Sequence, residues 1–223
     1  MATLFLVRHG LTAQTGRTLY GRTEGIDLDR RGRAQADRLA DRFAPVKLTA
    51  IYSSPLERCM QTVEPLAAAQ RRPVLATPDL IEMDAGSWTG RTLPQLRRTK
   101  LWKTIQESPS TFRFPDGEAF VDAQRRAVAA VERIARRHRR GRVAVATHGD
   151  IVRIVIAHFA GTPLDEFQRI VIDAASVSVI AVDGHRARVL LVNDTGGLDR
   201  FGSAATAPWE AAGRDGSRTK VRG

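Results

Sequence analysis

The sequence predicts an α/β fold, a three-layer α/β/α sandwich with a mostly parallel central sheet. Three observations lead there. Short, continuous apolar runs alternate with longer stretches of helical periodicity, the pattern of strands joined by crossover helices. Some runs end abruptly in polar residues, as LFLV does in Arg8-His9 and VAVAT in His148, and folds of this class bind ligands outside the carboxyl ends of their strands. No repeat or linker divides the chain, so residues 1–198 read as one domain and residues 199–223, rich in Gly, Ala and Ser, as a mobile tail.

Each element has its own signal. Residues 3–7 form an apolar run short enough for a buried strand. Asp29 suits the N-cap of a helix reaching about Ala44, with Ala36, Leu39, Ala40 and Phe43 on one face. AIYS (50–53) reads as a second strand. The helix after it is expected to be capped by Ser54, with Pro55 at its first position, and to kink or stop at Pro65. Residues 73–90 read as a short strand leading into a Gly-punctuated loop, 93–107 as helical and 108–120 as loop. A long helix is expected from about Glu118 to His138, turning Phe120, Val128, Val131 and Ile134 to the core. RVAVATHG (142–149) is another strand, and IVRIVIAHFAG, apolar nearly all round, a buried helix stopped by Gly161. RIVIDA (169–174), SVSVIAV and RARVLLV are expected as strands, the last two as an edge hairpin around Asp183-Gly184.

Composition narrows the function classes. The chain carries 35 Lys and Arg against 24 Asp and Glu, a net charge of +11, which favours anionic partners. Its densest basic runs, 132–142 and 22–38, overlap helical patterns and read as solvated helix faces, so nucleic acid is not the expected partner. No apolar run is long enough to span a bilayer, and the N-terminus lacks a signal-peptide pattern, so no membrane partner is expected either. Cys59, the single cysteine, reads as a packing residue and suits a reducing cytoplasm. Neither glycine fingerprint of a nucleotide fold follows a strand, and no histidine pairs with a carboxylate at metal-ligand spacing, so the chain is expected to need no cofactor and no metal.

Three strand ends supply groups for chemistry. Arg8 and His9 follow the first strand, His148 follows that at 142, and Arg58 lies on the first turn of the helix after the second. A helix N-terminus at such a crevice adds unpaired N–H groups suited to phosphate, and Gly10 and Gly149 let backbone approach a ligand closely. Four buried polar groups with no function would be costly, so a site is the stronger reading.

The blocks LVRHGLT (6–12), SSPLERCMQT (53–62), LIEMDAGSWTGRT (80–92), ATHGDIVR (146–153) and VNDTGGL (192–198) together resemble the histidine phosphatase superfamily, the phosphoglycerate mutase-like proteins. RHG alone is a weak motif; the blocks in order, over about residues 3–198, are a strong one. The resemblance implies that His9 is a nucleophile forming a phosphohistidine, that Arg8, Arg58 and His148 hold phosphate oxygens, with Gly149 beside them, and that Glu82 protonates the leaving oxygen. Each role has a physical basis. Surrounding positive charge keeps a nucleophilic imidazole neutral, and fixed guanidinium forks suit phosphoryl oxygens. Charge met in this way needs no metal in principle.

The chain also departs from the family pattern. Leu11, Thr12 and Thr15 stand where many members have Glu or Gln, Thr or Ser, and Asn, so only Thr12 matches. Thr15 is then a candidate hydroxyl for the phosphate and Arg22 a candidate for the substrate's far end, while Asp84 competes with Glu82 for the acid's role. Arg97, Arg98, Lys100, Lys103 and Arg113 are candidates for an anion-attracting rim, with Trp88 and Trp102 as apolar walls. Hydrolysis of a small phosphorylated substrate is the expected reaction. Phosphoglycerate mutase-type transfer is the alternative, disfavoured by the missing Asn and the short segment 93–117. A non-catalytic anion-binding module is a third reading, and the hairpin edge suggests a homodimer.

Overall fold

The structure is a computed structural model that describes residues 1–183, 186–198 and 201. Six strands form one sheet: β1 (Ala2–Arg8), β2 (Ala50–Ser53), β3 (Val74–Ala76), β4 (Arg142–Thr147), β5 (Val177–Asp183) and β6 (Arg186–Asp194). Their order is β3-β2-β4-β1-β5-β6. The four strands from β3 to β1 run parallel, β5 is antiparallel to β1, and β6 is antiparallel to β5.

The helices are α1 (Arg30–Arg42), α2 (Glu57–Gln70), α3 (Leu93–Leu96), α4 (Lys100–Glu107), α5 (Phe120–Arg137) and α6 (Gly149–Ala160). Alternation along each strand sends successive side chains to opposite faces. Phe5, Val7, Ile51, Ala144 and Val179 pack under α1 and α2, whereas Leu4, Leu6, Val143, Val145 and Ile180 pack under α5 and α6. Both faces are covered, which is why the strands read as continuous apolar runs. Among the described residues no helix is long and apolar enough to cross a membrane.

Most expected elements are present within a residue or two. Asp29 caps α1, its side chain accepting the Gly32 N–H at 2.7 Å, and Gly161 ends α6 in the left-handed conformation. Four expectations need correction. Helix α2 starts at Glu57 rather than after a Ser54 cap, and it runs on past Pro65 to Gln70. Residues 93–107 divide into α3 and α4. The stretch RIVIDA is not a strand: the last residues of a 3-10 turn (Leu164–Arg169) lead into irregular backbone. There Ile172 is buried and its carbonyl accepts from Arg8 at 2.6 Å, so the segment's polar backbone serves a side chain instead of a ladder. The hairpin forms from β5 and β6, with Gly184 and His185 outside the described residues, as is nearly all of the tail expected from 199.

Candidate active site

Strands β1, β2 and β4 are neighbours and end level, because Arg8 pairs with Thr147 and Ser53 with Ala146. The residue after each end continues the ladder by one bond, His9 N–H to Thr147 O and Ser54 N–H to Ala146 O, both 2.9 Å. His9, Ser54 and His148 are thereby set side by side. The His9 and His148 rings lie 5.4 Å apart, edge to face.

Hydrogen bonding settles the protonation of the His9 ring. Nδ1 of His9 is 2.8 Å from the Gly10 carbonyl, which can only accept, so Nδ1 carries the proton and Nε2 keeps its lone pair. Burial first, then the charges of Arg8 and Arg58, push the pKa of His9 down to about 3. The ring is a neutral imidazole at any physiological pH. Ser54 Oγ accepts the Leu56 N–H at 3.4 Å and lies 2.8 Å from Nε2 of His148. Nδ1 of His148 is 3.8 Å from a Glu82 carboxylate oxygen. Burial, and then His9 and the nearby arginines, hold His148 well below the usual histidine range.

Arg58 is fully buried, yet among the described residues it has no carboxylate partner. Its guanidinium donates to the carbonyls of Gly21 (2.8 Å) and Thr23 (3.2 Å) and lies 4.8 Å over the Tyr20 ring, while its Nε–H finds no partner. Arg8 is similar: it is anchored to Ile172 O, and its buried Nε–H is unsatisfied. Uncompensated buried cations are expensive, and an oxyanion between them would relieve both. Arg8 lies against the N-terminus of α6, where a Cβ on Gly149 would come within 3.1 Å of its Nε. A glycine therefore lets guanidinium and helix N-terminus address one anion together.

Glu82 faces this group from the loop before α3. Its side chain keeps 17% of its surface exposed, and one oxygen accepts the Met83 N–H at 2.9 Å. Burial, then the charge of Asp150, raises its pKa to about 7. The loop is tied down by Arg126 of α5, which donates to the carbonyls of Asp79, Ile81 and Glu82 at 2.7–3.1 Å and to both oxygens of Glu118. Asp84 is less buried, and its carboxylate accepts the Gly86 N–H at 2.9 Å.

Arg8, His9, Glu82 and Gly149 line a cavity of about 410 Å³, with Arg58 and His148 buried behind them. Thr15 and Arg22 do not line it. The Thr15 hydroxyl accepts the Thr12 N–H at 3.0 Å inside its own loop. Arg22 donates to Glu82 O at 2.9 Å and to Glu118 at 3.1 Å, and so braces the acid's backbone. Trp102 is a wall, whereas Trp88 is buried against Phe112 and Phe114. None of Arg97, Arg98, Lys100, Lys103 and Arg113 reaches the lining; Lys103 pairs with Glu107, and Arg113 with Asp122. Sequence reasoning missed Ser54's contact, Tyr20, Arg126, and the Asp150–Arg153 pair that also lines the cavity. Only the pair had a readable signal, since Asp and Arg three apart just after THG share a helix face.

Comparisons with known proteins agree with this geometry. The profile of the histidine phosphatase superfamily (branch 1) matches residues 4–195. Phosphoserine phosphatase 1 of Hydrogenobacter thermophilus is 31% identical, over 90% of this chain and 96% of its own. A probable phosphoglycerate mutase, GpmB of Proteus mirabilis, is 29% identical over 80% of this chain and 84% of its own. The solved structure of YhfR from Bacillus stearothermophilus superimposes with a TM-score of 0.81 at 32% identity, covering 87% of this chain and 98% of that one.

Proposed function

The chain belongs to the histidine phosphatase superfamily (branch 1), and from that premise we propose that it hydrolyses phosphate monoesters through a phosphohistidine at His9. The supporting observation is a neutral His9, with its Nε2 lone pair free, set beside two guanidiniums, Arg58 buried and Arg8 half-buried, that lack a carboxylate partner among the described residues. The phosphoryl oxygens are held by Arg8, Arg58, His148 and the backbone N–H of Gly149. Nε2 attacks phosphorus in line, the P–O bond to the alcohol breaks, and the proton of Glu82 passes to the departing oxygen. Glu82, now a carboxylate, takes a proton from water as that water attacks phosphorus. The P–N bond breaks, and inorganic phosphate and the starting protonation state result.

Hydrolysis is favoured over mutase-type transfer because a mutase must hold a second phosphate or carboxylate. Beyond the catalytic groups, the charged residues lining the cavity are Asp150 and Arg153, and Arg153 already donates to the Asp150 carboxylate at 2.9 Å, which leaves one partly met cation for a second anion. The reaction needs no metal, since guanidiniums and a helix N-terminus meet the developing charge. A cytoplasmic setting suits the buried, unpaired Cys59. Strand β6 is the last in the sheet order, the place where a second copy would add in a homodimer.

The test is turnover of 4-nitrophenyl phosphate and of an alkyl phosphate with EDTA present. His9→Ala is expected to lose about 10³-fold or more in kcat for both. Glu82→Gln should lose about 10²–10⁴-fold for the alkyl ester; with the aryl ester, whose leaving group needs no proton, the first step should be largely spared, giving a burst of 4-nitrophenolate before slow hydrolysis of the phosphohistidine. Turnover that survives His9→Ala would overturn the mechanism.

A further inference from the structure

The phosphate pocket occupies one end of the cavity, and the rest of the lining is more polar than its residue types suggest. Ile105, Phe114, Phe120 and Phe167 are each 6% exposed or less. The three phenylalanines interlock behind the surface, Phe114 stacked on Phe120 at 5.7 Å and Phe120 meeting Phe167 at 5.2 Å. They shape the cavity but offer an occupant little contact. Thr18, Tyr20, Gln106, Asp150, Arg153 and Gln168 line it and keep exposed surface. Beyond its phosphate, a ligand therefore meets hydroxyls, amides and one ion pair.

That ion pair is incompletely bonded. Arg153 donates from Nη1 to Oδ1 of Asp150 at 2.9 Å, while its Nε–H is buried without a partner. Oδ2 of Asp150 accepts no hydrogen bond among the described residues. A buried donor left unmet is costly, so the Nε–H calls for an acceptor. A carboxylate placed there would be set against Asp150, and an ammonium beside Asp150 would be set against Arg153. A hydroxyl suits both, accepting from Arg153 and donating to Asp150. The pair stands within about 6 Å of Gly149 along the axis of α6, the span from a phosphate ester to the nearby carbons of its alcohol. Further unengaged groups wait around it. The Gln168 amide N–H is held by Ile105 O at 2.8 Å but its own carbonyl is free, as are the Thr18 and Tyr20 hydroxyls and the Gln106 amide among the described residues. One hydroxyl would leave most of these unused; several would not.

We propose that Asp150 and Arg153 determine specificity by together binding a hydroxyl of the leaving alcohol, so that the substrate class is phosphate monoesters of neutral, hydroxyl-rich alcohols, sugars and polyols. This rests on the phosphatase reading and adds the identity of the leaving group. A site built to hydrogen-bond hydroxyls rejects an analogue that lacks them, because its own polar groups are then left unpaired. A charged acid gives up hydration for one half of the pair while the other half opposes it.

The experiment measures kcat/KM for ribose 5-phosphate, glucose 6-phosphate and sorbitol 6-phosphate against cyclohexylmethyl phosphate, which keeps a ring but no hydroxyl. O-phosphoserine, whose carboxylate and ammonium could span the same pair, is the charged rival. All are primary alkyl esters, so leaving-group chemistry does not decide the ranking. Asp150 also acts on Glu82, but in the same way for every alkyl ester, so a ratio between esters isolates recognition. The best sugar or polyol ester is expected to exceed the cyclohexylmethyl ester by roughly 10²-fold, and to exceed O-phosphoserine. Arg153→Met and Asp150→Asn should each shrink the first ratio by roughly tenfold. Gln106→Leu, on the exposed side of α4, should shrink it in the same direction. A ratio at or below one in the wild type, a ratio that no variant moves, or a preference for O-phosphoserine overturns the proposal, and the phosphatase reading stands as long as 4-nitrophenyl phosphate is turned over. No turnover of any ester, 4-nitrophenyl phosphate included, overturns both.

Discussion

His9 and Glu82 are displaced in opposite directions from their ordinary ionisation ranges, and this sets where both are in their working forms. His9 must be neutral, and with a pKa near 3 it stays so across the whole neutral and mildly acidic range. Glu82 must be protonated, and with a pKa near 7 it loses that proton as pH rises through neutrality. For an alkyl phosphate, kcat is therefore expected to be flat from about pH 4.5 to 6.5 and to fall toward tenfold per unit above about 7. In Glu82→Gln the alkaline fall should vanish along with most of the rate. A pH–rate profile of the two proteins checks this, and a fall below pH 6 in the wild type would contradict it. His9, Arg8, Arg58 and His148 were legible as residues because their types and strand-end positions admit few other roles. What could not be read was which nitrogen of each ring carries the proton. That depends on Gly10 O and on Ser54, contacts set by how the chain turns rather than by any motif.

Among the elements, α5 does more than cover the sheet. From one side chain, Arg126, it holds three carbonyls of the 79–82 segment and the Glu118 carboxylate, and through them it fixes the backbone of Glu82. Arg126 is a positioning residue, so its loss should act through the acid. Arg126→Met is expected to lower kcat for an alkyl phosphate by about 10–10²-fold and to leave the pre-steady-state burst of 4-nitrophenolate from 4-nitrophenyl phosphate much less affected. An equal loss in alkyl turnover and in the aryl burst would mean that α5 merely supports the fold. This network was invisible in sequence, since Arg126 lies inside a run that reads as an ordinary amphipathic helix. The strands and long helices were legible because burial on two faces and a 3.6-residue period leave direct marks. RIVIDA failed for the opposite reason: apolar content alone does not distinguish a strand from backbone recruited to hold an arginine.

For the whole molecule, the site is held in tension. Arg58 is a buried cation and Arg8 a half-buried one, each with an unsatisfied buried Nε–H, and His9 and His148 are buried neutral rings. An oxyanion bound between the guanidiniums binds only the folded chain, so inorganic phosphate or vanadate should raise Tm. The gain at a hundred times Kd is about 2.7 kcal/mol, which corresponds to several degrees for a chain of this size. Arg58→Met should abolish most of that rise; thermal melts with and without the anion measure it. The histidines add a pH dependence of known sign. Their folded pKa values lie below 6.5, so the stability they permit is complete above about 6.5 and is lost as pH falls toward 3, by at most about 1.4 kcal/mol per unit for each ring. Bound anion should flatten that acid loss by stabilising the charged rings.

The cavity has two origins in the chain. Its phosphate end is assembled by strand termini locked into the central sheet, whereas its walls come from short helices and turns at 93–120 and 164–169 that hang outside that sheet. Selection can therefore rewrite the walls without disturbing the reacting atoms. A lineage could move from one alcohol to another by changing a few side chains on α4 and the 164–169 turn, and an engineer could follow the same route.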